Sequence, residues 1–196
     1  MKILVASGNL GKIKEIKEIL NEVELITLND IKNTVEVIED GQTFEENAKK
    51  KAYEIYNQIK IPVLADDSGI CIEKFDGWPG VQTARFLGED KASNEYAGQR
   101  NQYILDKMKS LNKEERRVEY VTVIAYYDGE AFKIGTGKIR GYIANKARGS
   151  NGFGFDEIFE LEDGRTLSEL EQEEKNVISS RKIALEEIKR KIINKT

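Results

Sequence analysis

The sequence predicts an α/β fold with a mixed central sheet flanked by helices. Short apolar runs alternate with amphipathic helical patterns in the N-terminal third, which favours parallel strands. Two long strand-like runs are joined at Asp128-Gly129, and such a tight hairpin requires an antiparallel pair. Hydrophobic residues make up 39% of the 196 residues and are spread along the chain. This is enough to bury the core of a single domain covering residues 1–196.

The first elements are predicted from hydrophobic spacing and capping signals. A strand at Lys2–Ala6 is followed by a helix whose apolar stripe consists of Ile13, Ile16, Ile19 and Leu20. A second strand is expected near Glu24–Thr27. The capping box that begins at Thr43 should start a helix running to about Ile59.

The later elements alternate in the same way. We expect a third strand at Pro62–Ala65, a turn at Asp66–Gly69 and extended chain again at Ile70–Ile72. A polar helix should follow at Asn94–Met108. The hairpin strands are predicted at Val118–Tyr127 and Ala131–Arg140. Leu185, Ile188 and Ile192 form the apolar stripe of a charged terminal helix.

The composition excludes several functional classes. Histidine is absent, so Ser-His-Asp triads, Cys-His pairs and His-dependent metal motifs are ruled out. A net charge of -4 argues against a protein that binds nucleic acid through its backbone. The single Cys71 cannot form an internal disulfide, and no apolar run of about 18 residues is present. We therefore expect a soluble cytoplasmic protein that binds neither nucleic acid nor membrane.

The loop after the first strand, Ser7-Gly8-Asn9-Leu10-Gly11-Lys12, is a candidate phosphate cradle. Its glycines are too close together for a Walker A sequence. Backbone N–H groups, a helix N-terminus and the charge of Lys12 would nevertheless favour a phosphate. The alternative is that Asn9 only caps the helix and the glycines only turn the chain.

Asp66 and Asp67 are candidate functional carboxylates after the third strand. Adjacent side chains of extended chain point to opposite faces, so two roles are expected. One carboxylate would coordinate Mg²⁺ or orient the attacking water, and the other would cap a turn or close a polar network. The alternative is an exposed turn with no chemistry.

Acidic residues before Gly41 are candidates to complete a magnesium site. Mg²⁺ takes one or two carboxylates together with substrate phosphate oxygens. Glu36 and Glu39 both qualify, and the pattern does not distinguish them. Together with the phosphate loop, these residues point to a magnesium-dependent reaction on a nucleotide.

A base-binding segment is predicted near the C-terminus. Phe153-Gly154-Phe155-Asp156 combines aromatic rings with a carboxylate, as needed to hold a flat purine and contact its edge. The alternative is that the phenylalanines belong to the core. Lys175 and Arg181 could hold phosphates or a base carbonyl, or could be solvated surface cations.

Taken in order, these segments resemble the inosine triphosphate pyrophosphatase family, which hydrolyses deaminated purine nucleoside triphosphates to the monophosphate and pyrophosphate. The resemblance extends over nearly the whole chain. The matching segments are Ser7-Gly8-Asn9 with Lys12, Gly41-Gln42-Thr43-Phe44 with Glu46-Asn47-Ala48, Ala65-Asp66-Asp67-Ser68-Gly69, Gly77-Trp78-Pro79-Gly80-Val81 with Ala84-Arg85, Gly152-Phe153-Gly154-Phe155-Asp156, and Glu174-Lys175-Asn176.

The resemblance implies two lobes around a deep nucleotide cleft, a homodimer and Mg²⁺ as cofactor. It assigns the triphosphate to Ser7–Lys12, catalysis and metal binding to Asp67, and the second metal ligand to Glu39. Further substrate contacts are implied for Ser68, Phe153, Gly154, Phe155, Asp156, Lys175, Ser180 and Arg181.

This chain departs from the family pattern at a few positions. Ser180 replaces a histidine, Phe155 a tyrosine and Glu157 a proline, while Ile38 stands where many relatives carry glutamate. The departures at Ser180, Phe155 and Glu157 affect the residues implied to read the base, whereas the one at Ile38 concerns the metal site. Two alternatives therefore stand beside the main hypothesis: a pyrophosphatase for other modified nucleotides, and a nucleotide-binding protein with weak catalysis.

Overall fold

The computed structural model describes residues 2–31 and 37–193. It has a six-stranded sheet in the order β2-β1-β3-β4-β5-β6, with helices between the strands. The β1 strand pairs in parallel with β2 and β3, whereas β5 and β6 are antiparallel. The predicted α/β class and mixed sheet are therefore confirmed.

The N-terminal elements follow the sequence pattern closely. The strands are β1 at Lys2–Val5 and β2 at Glu24–Thr27, and the helix α1 between them covers Leu10–Ile19. The next helix, α2, covers Phe44–Ile59 and starts with the capping box predicted at Thr43.

One sequence prediction was wrong in this region. The strand β3 runs without interruption over Val63–Ile72, so Asp66–Gly69 is not a turn. The carboxylates of Asp66 and Asp67 are buried and have partners, which lets extended chain continue through them. At Gly69 a Cβ atom would lie 2.2 Å from Thr83 Oγ1, so this glycine permits close packing.

The C-terminal half contains the long antiparallel strands. The predicted hairpin is formed by β4 at Arg117–Tyr127 and β5 at Phe132–Ile143, and a short β6 lies at Phe159–Glu160. The third helix, α3, covers Ala97–Lys107. The end of the chain carries two helices, α4 at Gln172–Ile178 and α5 at Ser180–Ile192.

The chain divides into two compact units, and neither is continuous in sequence. Unit 1 comprises residues 1–68, 122–137 and 180–196, and unit 2 comprises residues 69–121 and 138–179. Each has its own hydrophobic core. In unit 1 the apolar stripe of α1 packs against β1, β4 and α5. The buried residues of this core include Ile16, Leu20 and Leu185.

Unit 2 is centred on aromatic and aliphatic residues of β3, α3 and the segments that follow β5. Its buried members include Ile72, Ile104, Phe155 and Phe159. In the described part of the chain, none of the helices combines the length and apolar character needed to cross a membrane.

The start of α5 lies directly against β5 within unit 1. A Cβ atom on Gly137 would approach the carbonyl oxygen of Ser180 to 1.9 Å, and one on Gly135 would approach that of Ala184 to 2.2 Å. Glycine at both positions therefore lets the helix backbone contact the strand. This packing fixes the position of Arg181, the second residue of α5.

Arg116 holds several segments of unit 2 together. Its side chain is only 4% exposed and donates hydrogen bonds to the carbonyl oxygens of Met108, Leu111, Ile143 and Ala144. These bonds satisfy backbone acceptors at the end of α3 and at the end of β5. A buried cation thus replaces water at these carbonyl groups.

We predict that Arg116→Ala lowers the free energy of unfolding by about 3 kcal/mol, because several buried carbonyl groups lose their donors. Urea titration followed by circular dichroism measures this change. Arg117→Ala is the matched control, since the exposed Arg117 pairs only at the surface with Glu114 and should cost less than about 1 kcal/mol. Equal losses of unfolding free energy in the two variants would contradict the role of Arg116 in holding these segments together.

Candidate functional site

The loop between β1 and α1 is held by its own side chains. Asn9 is the N-cap of α1, and its Oδ1 accepts from the N–H groups of Gly11 at 2.9 Å and Lys12 at 3.2 Å. Ser7 Oγ accepts from Asn9 N–H at 3.2 Å. The capping role considered for Asn9 is therefore real, and two donors of the first helical turn are already used.

The rest of this loop leaves room for a ligand. Apart from the two chain neighbours of Gly8, no described residue has an atom within 4 Å of the position that a Cβ atom on Gly8 would take, and the backbone of Gly8 does not require positive φ. Leu10 is 74% exposed at the start of the helix. Neither backbone strain nor packing explains the glycine, so its surroundings are open to an approaching phosphate.

Asp66 lies at the centre of a buried ion network in unit 1. Its Oδ2 is 3.0 Å from Lys12 Nζ and 3.2 Å from Arg181 Nη2. Arg181 also forms an ion pair with Glu15 of α1 and donates to Ser68 Oγ at 3.3 Å. Residues from α1, β3 and α5 are thereby held together by charge.

The network determines the protonation of Asp66. Burial alone would raise the pKa of this carboxyl group, but the positive charges of Lys12, Arg181 and Lys51 together hold its pKa well below the ordinary 3.8. Asp66 is thus an ionised structural anion. Its role is to position Lys12 and Arg181.

Asp67 has a different environment. Its Oδ2 accepts from Asn47 Nδ2 at 2.9 Å, and its Oδ1 accepts from the N–H of Ser68 at 2.9 Å. Burial raises its pKa, the charge of Lys51 opposes this, and the nearby negative charge of Glu39 raises it further. A carboxylate with a raised pKa is a better proton acceptor than an ordinary aspartate.

Lys51 connects the two acidic segments of unit 1. Its Nζ forms an ion pair with Glu39 and donates to the carbonyl oxygen of Asp66 at 2.9 Å. Burial lowers its pKa, but the neighbouring carboxylates outweigh this effect and the pKa is raised. Lys51 therefore stays protonated and offsets the negative charge of Glu39 and Asp67.

The donor set fits a magnesium ion. Glu39 and Asp67 are close enough for their charges to interact, and Mg²⁺ commonly takes one or two carboxylates plus phosphate oxygens and water. Among the described residues there is no group of three or more acidic, His or Cys side chains that could hold a metal alone. Glu36, the other candidate ligand, lies outside the described residues.

Ser180 is buried at the start of α5. Its hydroxyl group is 2.8 Å from Thr122 Oγ1 of β4, so the hydroxyl groups form a hydrogen bond. Both residues belong to unit 1. Ser180 is thus used in a contact between α5 and the sheet.

The Phe153–Asp156 segment belongs to unit 2 and contains a buried ion pair. Asp156 Oδ2 accepts from Lys175 Nζ at 2.8 Å and from Phe153 N–H at 2.8 Å. Lys175 Nζ also lies 4.5 Å from the centre of the Phe153 ring. A Cβ atom on Gly152, which has φ +80°, would lie 2.2 Å from Asp156 Oδ2, so only glycine fits there.

The two phenylalanines of this segment have different surroundings. Phe155 is 4% exposed and belongs to the core of unit 2, as the alternative interpretation expected. Phe153 is only partly buried, and Gly154 between them has φ +67°. Phe153 is therefore the aromatic ring of this loop that is accessible to a ligand.

Sequence reasoning gave no role to three residues of unit 1. These are Glu15, Asn47 and Lys51, which bind Arg181, Asp67 and Glu39. A signal existed in α2, where Asn47 and Lys51 are four residues apart beside the buried Ala48, Ala52 and Ile55. Polar side chains next to an apolar stripe can face inward when hydrogen-bond or ion-pair partners are present there.

Comparison with known proteins places these features in a family context. The sequence profile of the Ham1 family matches residues 3–191. The dITP/XTP pyrophosphatase of Bacillus subtilis is 40% identical over 189 residues, covering 94% of this chain and 93% of the relative. That of Aquifex aeolicus is 41% identical over 192 residues, covering 96% and 95%.

Solved structures agree with the sequence matches. A HAM1 protein from Coxiella burnetii superimposes with a TM-score of 0.87 at 34% identity and covers 99% of both chains. The Staphylococcus aureus Ham1 protein gives a TM-score of 0.86 at 32% identity and covers 100% of both chains. The similarity extends over both units.

We predict a pH-dependent cost for Asp66→Asn. Because the folded-state pKa of Asp66 lies below 3.8, its ionised form stabilises the fold above this pH, and the stabilisation is lost as pH falls below 3.8. The variant should therefore be less stable by about 3 kcal/mol near neutral pH, and the difference should shrink in acid. Urea unfolding from about pH 7 to about pH 3 measures it.

Asp90→Asn changes an exposed carboxyl group and serves as the control. It should leave the pH dependence of unfolding unchanged. A difference between wild type and Asp66→Asn that stays constant across the pH range would contradict the charge network.

Proposed function

This chain belongs to the Ham1 family, and we propose that it hydrolyses the deaminated purine nucleoside triphosphates ITP, dITP and XTP to the monophosphate and pyrophosphate. The observation that carries the proposal is the arrangement in unit 1. There an open glycine loop, Lys12, Asp66 and the Glu39–Asp67 pair occur together. This set supplies cations for phosphate and a carboxylate for water activation.

We propose that the loop Ser7–Lys12 binds the triphosphate. Gly8 permits close approach of phosphate oxygens, and Lys12, fixed by Asp66, supplies a positive charge beside the helix N-terminus. These groups would also stabilise the charge that develops on the departing pyrophosphate. The hydroxyl group of Ser68, held by Arg181, would contact the same substrate.

Asp67 and Glu39 are the proposed ligands of Mg²⁺. When bound, the ion would neutralise phosphate charge and orient the substrate. Asp67 would accept a proton from the water that attacks the α-phosphorus. Asn47 and the Ser68 N–H hold the carboxylate in one orientation during this step.

We propose that Phe153 and the Lys175–Asp156 pair recognise the base. The partly buried ring of Phe153 offers a face for stacking, and Lys175 is a donor suited to the carbonyl oxygen of a deaminated purine. Adenine presents an amino group in that place and would leave the donor unmatched.

We also propose that the protein is a cytoplasmic homodimer. Light scattering in solution tests the dimer.

The first test measures pyrophosphate release from ITP, dITP, XTP, ATP, GTP and dUTP, with Mg²⁺ and with EDTA. We expect magnesium-dependent release confined to the deaminated purine nucleotides. Release from another nucleotide would overturn the substrate but keep the chemistry. Nucleotide binding without release would favour a binding protein.

Asp67→Asn should lower kcat by at least about 100-fold while the variant keeps its secondary structure, because it loses the proton acceptor and a metal ligand. Asp163→Asn, at an exposed turn, is the control for the chemical change. Wild-type turnover by a folded Asp67→Asn variant would remove Asp67 from the mechanism.

Position 180 provides a test of base selectivity. Ser180→His restores the residue typical of the family, and we expect it to change the ratio of ITP to ATP turnover more than the rate on the best substrate. Ser180→Ala separates the loss of the Thr122 hydrogen bond from the gain of an imidazole. An unchanged ratio in the folded histidine variant would show that this position does not read the base.

A further inference from the structure

The acidic segment before α2 is fastened to the first turns of that helix. Glu46 Oε2 accepts from the N–H groups of Gln42 at 2.7 Å and Thr43 at 3.2 Å. The preceding N–H, that of Gly41, donates to Asn47 Oδ1 at 2.7 Å. Three consecutive backbone donors are therefore held by two neighbouring side chains of α2.

The side chains of this acidic segment are held by the same helix. Lys50 Nζ is 2.6 Å from Asp40 Oδ1, and Lys51 pairs with Glu39. The lysine pairs are partly exposed, whereas the side chain of Asn47 is completely buried. Asn47 thus holds the segment that carries Glu39 through a buried, uncharged side chain.

Asn47 also contacts Asp67 directly. Its Nδ2 donates to Asp67 Oδ2 at 2.9 Å while its Oδ1 is occupied by the Gly41 N–H. The backbone donor at Gly41 fixes which end of the amide faces the loop, so the NH₂ end must face the carboxylate. A Cβ atom on Gly41 would lie 2.7 Å from this Oδ1. Because glycine has no Cβ atom, the loop can approach Asn47 closely.

We propose that Asn47 is a positioning residue that sets the relative placement of Glu39 and Asp67 through one buried amide. The inference rests on the proposed function, in which these two carboxylates bind the metal ion. One end of the amide anchors the Glu39 segment and the other orients Asp67. Outer partners of this kind typically contribute about 10- to 100-fold to metal affinity or activity.

Two variants separate the contributions of the amide. Asn47→Asp has nearly the same shape and retains an oxygen for the Gly41 N–H, but it replaces the donor to Asp67 by a repelling oxygen. Asn47→Ser adds no charge and is too short to maintain both contacts. Asn57→Asp is the matched control, because Asn57 lies on the exposed side of the same helix.

Each variant is first checked for folding by circular dichroism and thermal melting. Steady-state kinetics with ITP then give kcat and KM, and electron paramagnetic resonance gives the affinity for Mn²⁺ with a non-hydrolysable ITP analogue present. We expect both variants to lose about 10- to 100-fold in kcat, and Asn47→Ser to lose about as much in Mn²⁺ affinity. The added carboxylate of Asn47→Asp itself attracts Mn²⁺, so kcat is the readout for that variant. KM for ITP should stay within about 2-fold, because the Ser7–Lys12 loop is untouched.

Wild-type kcat in either folded variant, or wild-type Mn²⁺ affinity in folded Asn47→Ser, would overturn the positioning role. A lower melting temperature with unchanged kcat would do so as well, since it would leave Asn47 a purely structural role. Absence of pyrophosphate release by the wild-type protein would instead contradict the proposed function. In that case the Mn²⁺ measurement would still test whether Asn47 organises the two carboxylates.

Discussion

The site in unit 1 depends on cations that balance the negative charge of the buried, ionised Asp66. A buried carboxylate is costly unless cations surround it, and here Lys12 and Arg181 supply the compensation from α1 and α5. Arg181 is balanced in turn by Glu15. These opposite charges stabilise one another only when they are close together. They therefore fix the Ser7–Lys12 loop, the β3 strand and the start of α5 in one arrangement.

This network explains why adjacent aspartates have different properties. The pKa of Asp66 is lowered by the surrounding cations, whereas that of Asp67 is raised by burial and by Glu39. Lys51 contacts both acidic segments and limits the repulsion between them. The fold therefore keeps one carboxylate as a structural anion and the next as a potential base.

Local signals in the sequence were sufficient for much of the fold. The Thr43 capping box marked the start of α2, and the strand expected near Glu24–Thr27 is β2 with these bounds. Asp128 and Gly129 marked the hairpin, where Asp128 Oδ1 accepts from the N–H groups of Glu130 and Ala131. Each of these features is decided by residues close in sequence.

The errors and omissions arose where distant residues decide the structure. Asp66–Gly69 has the composition of a turn, yet it is strand because Lys12, Asn47 and Arg181 satisfy its carboxylates from other elements. The same holds for Lys51, whose partners come from the loop before α2 and from β3. The partners in these ion pairs and hydrogen bonds lie far apart in sequence, so a single sequence does not show which residues pair.

We propose that water activated at Asp67 attacks the α-phosphorus of a nucleoside triphosphate. Hydrolysis of ITP in water enriched in heavy oxygen, followed by mass spectrometry of the products, tests it most directly. We expect the label to enter the nucleoside monophosphate and the pyrophosphate to remain unlabelled. Label in pyrophosphate, or release of labelled inorganic phosphate, would contradict the proposed attack.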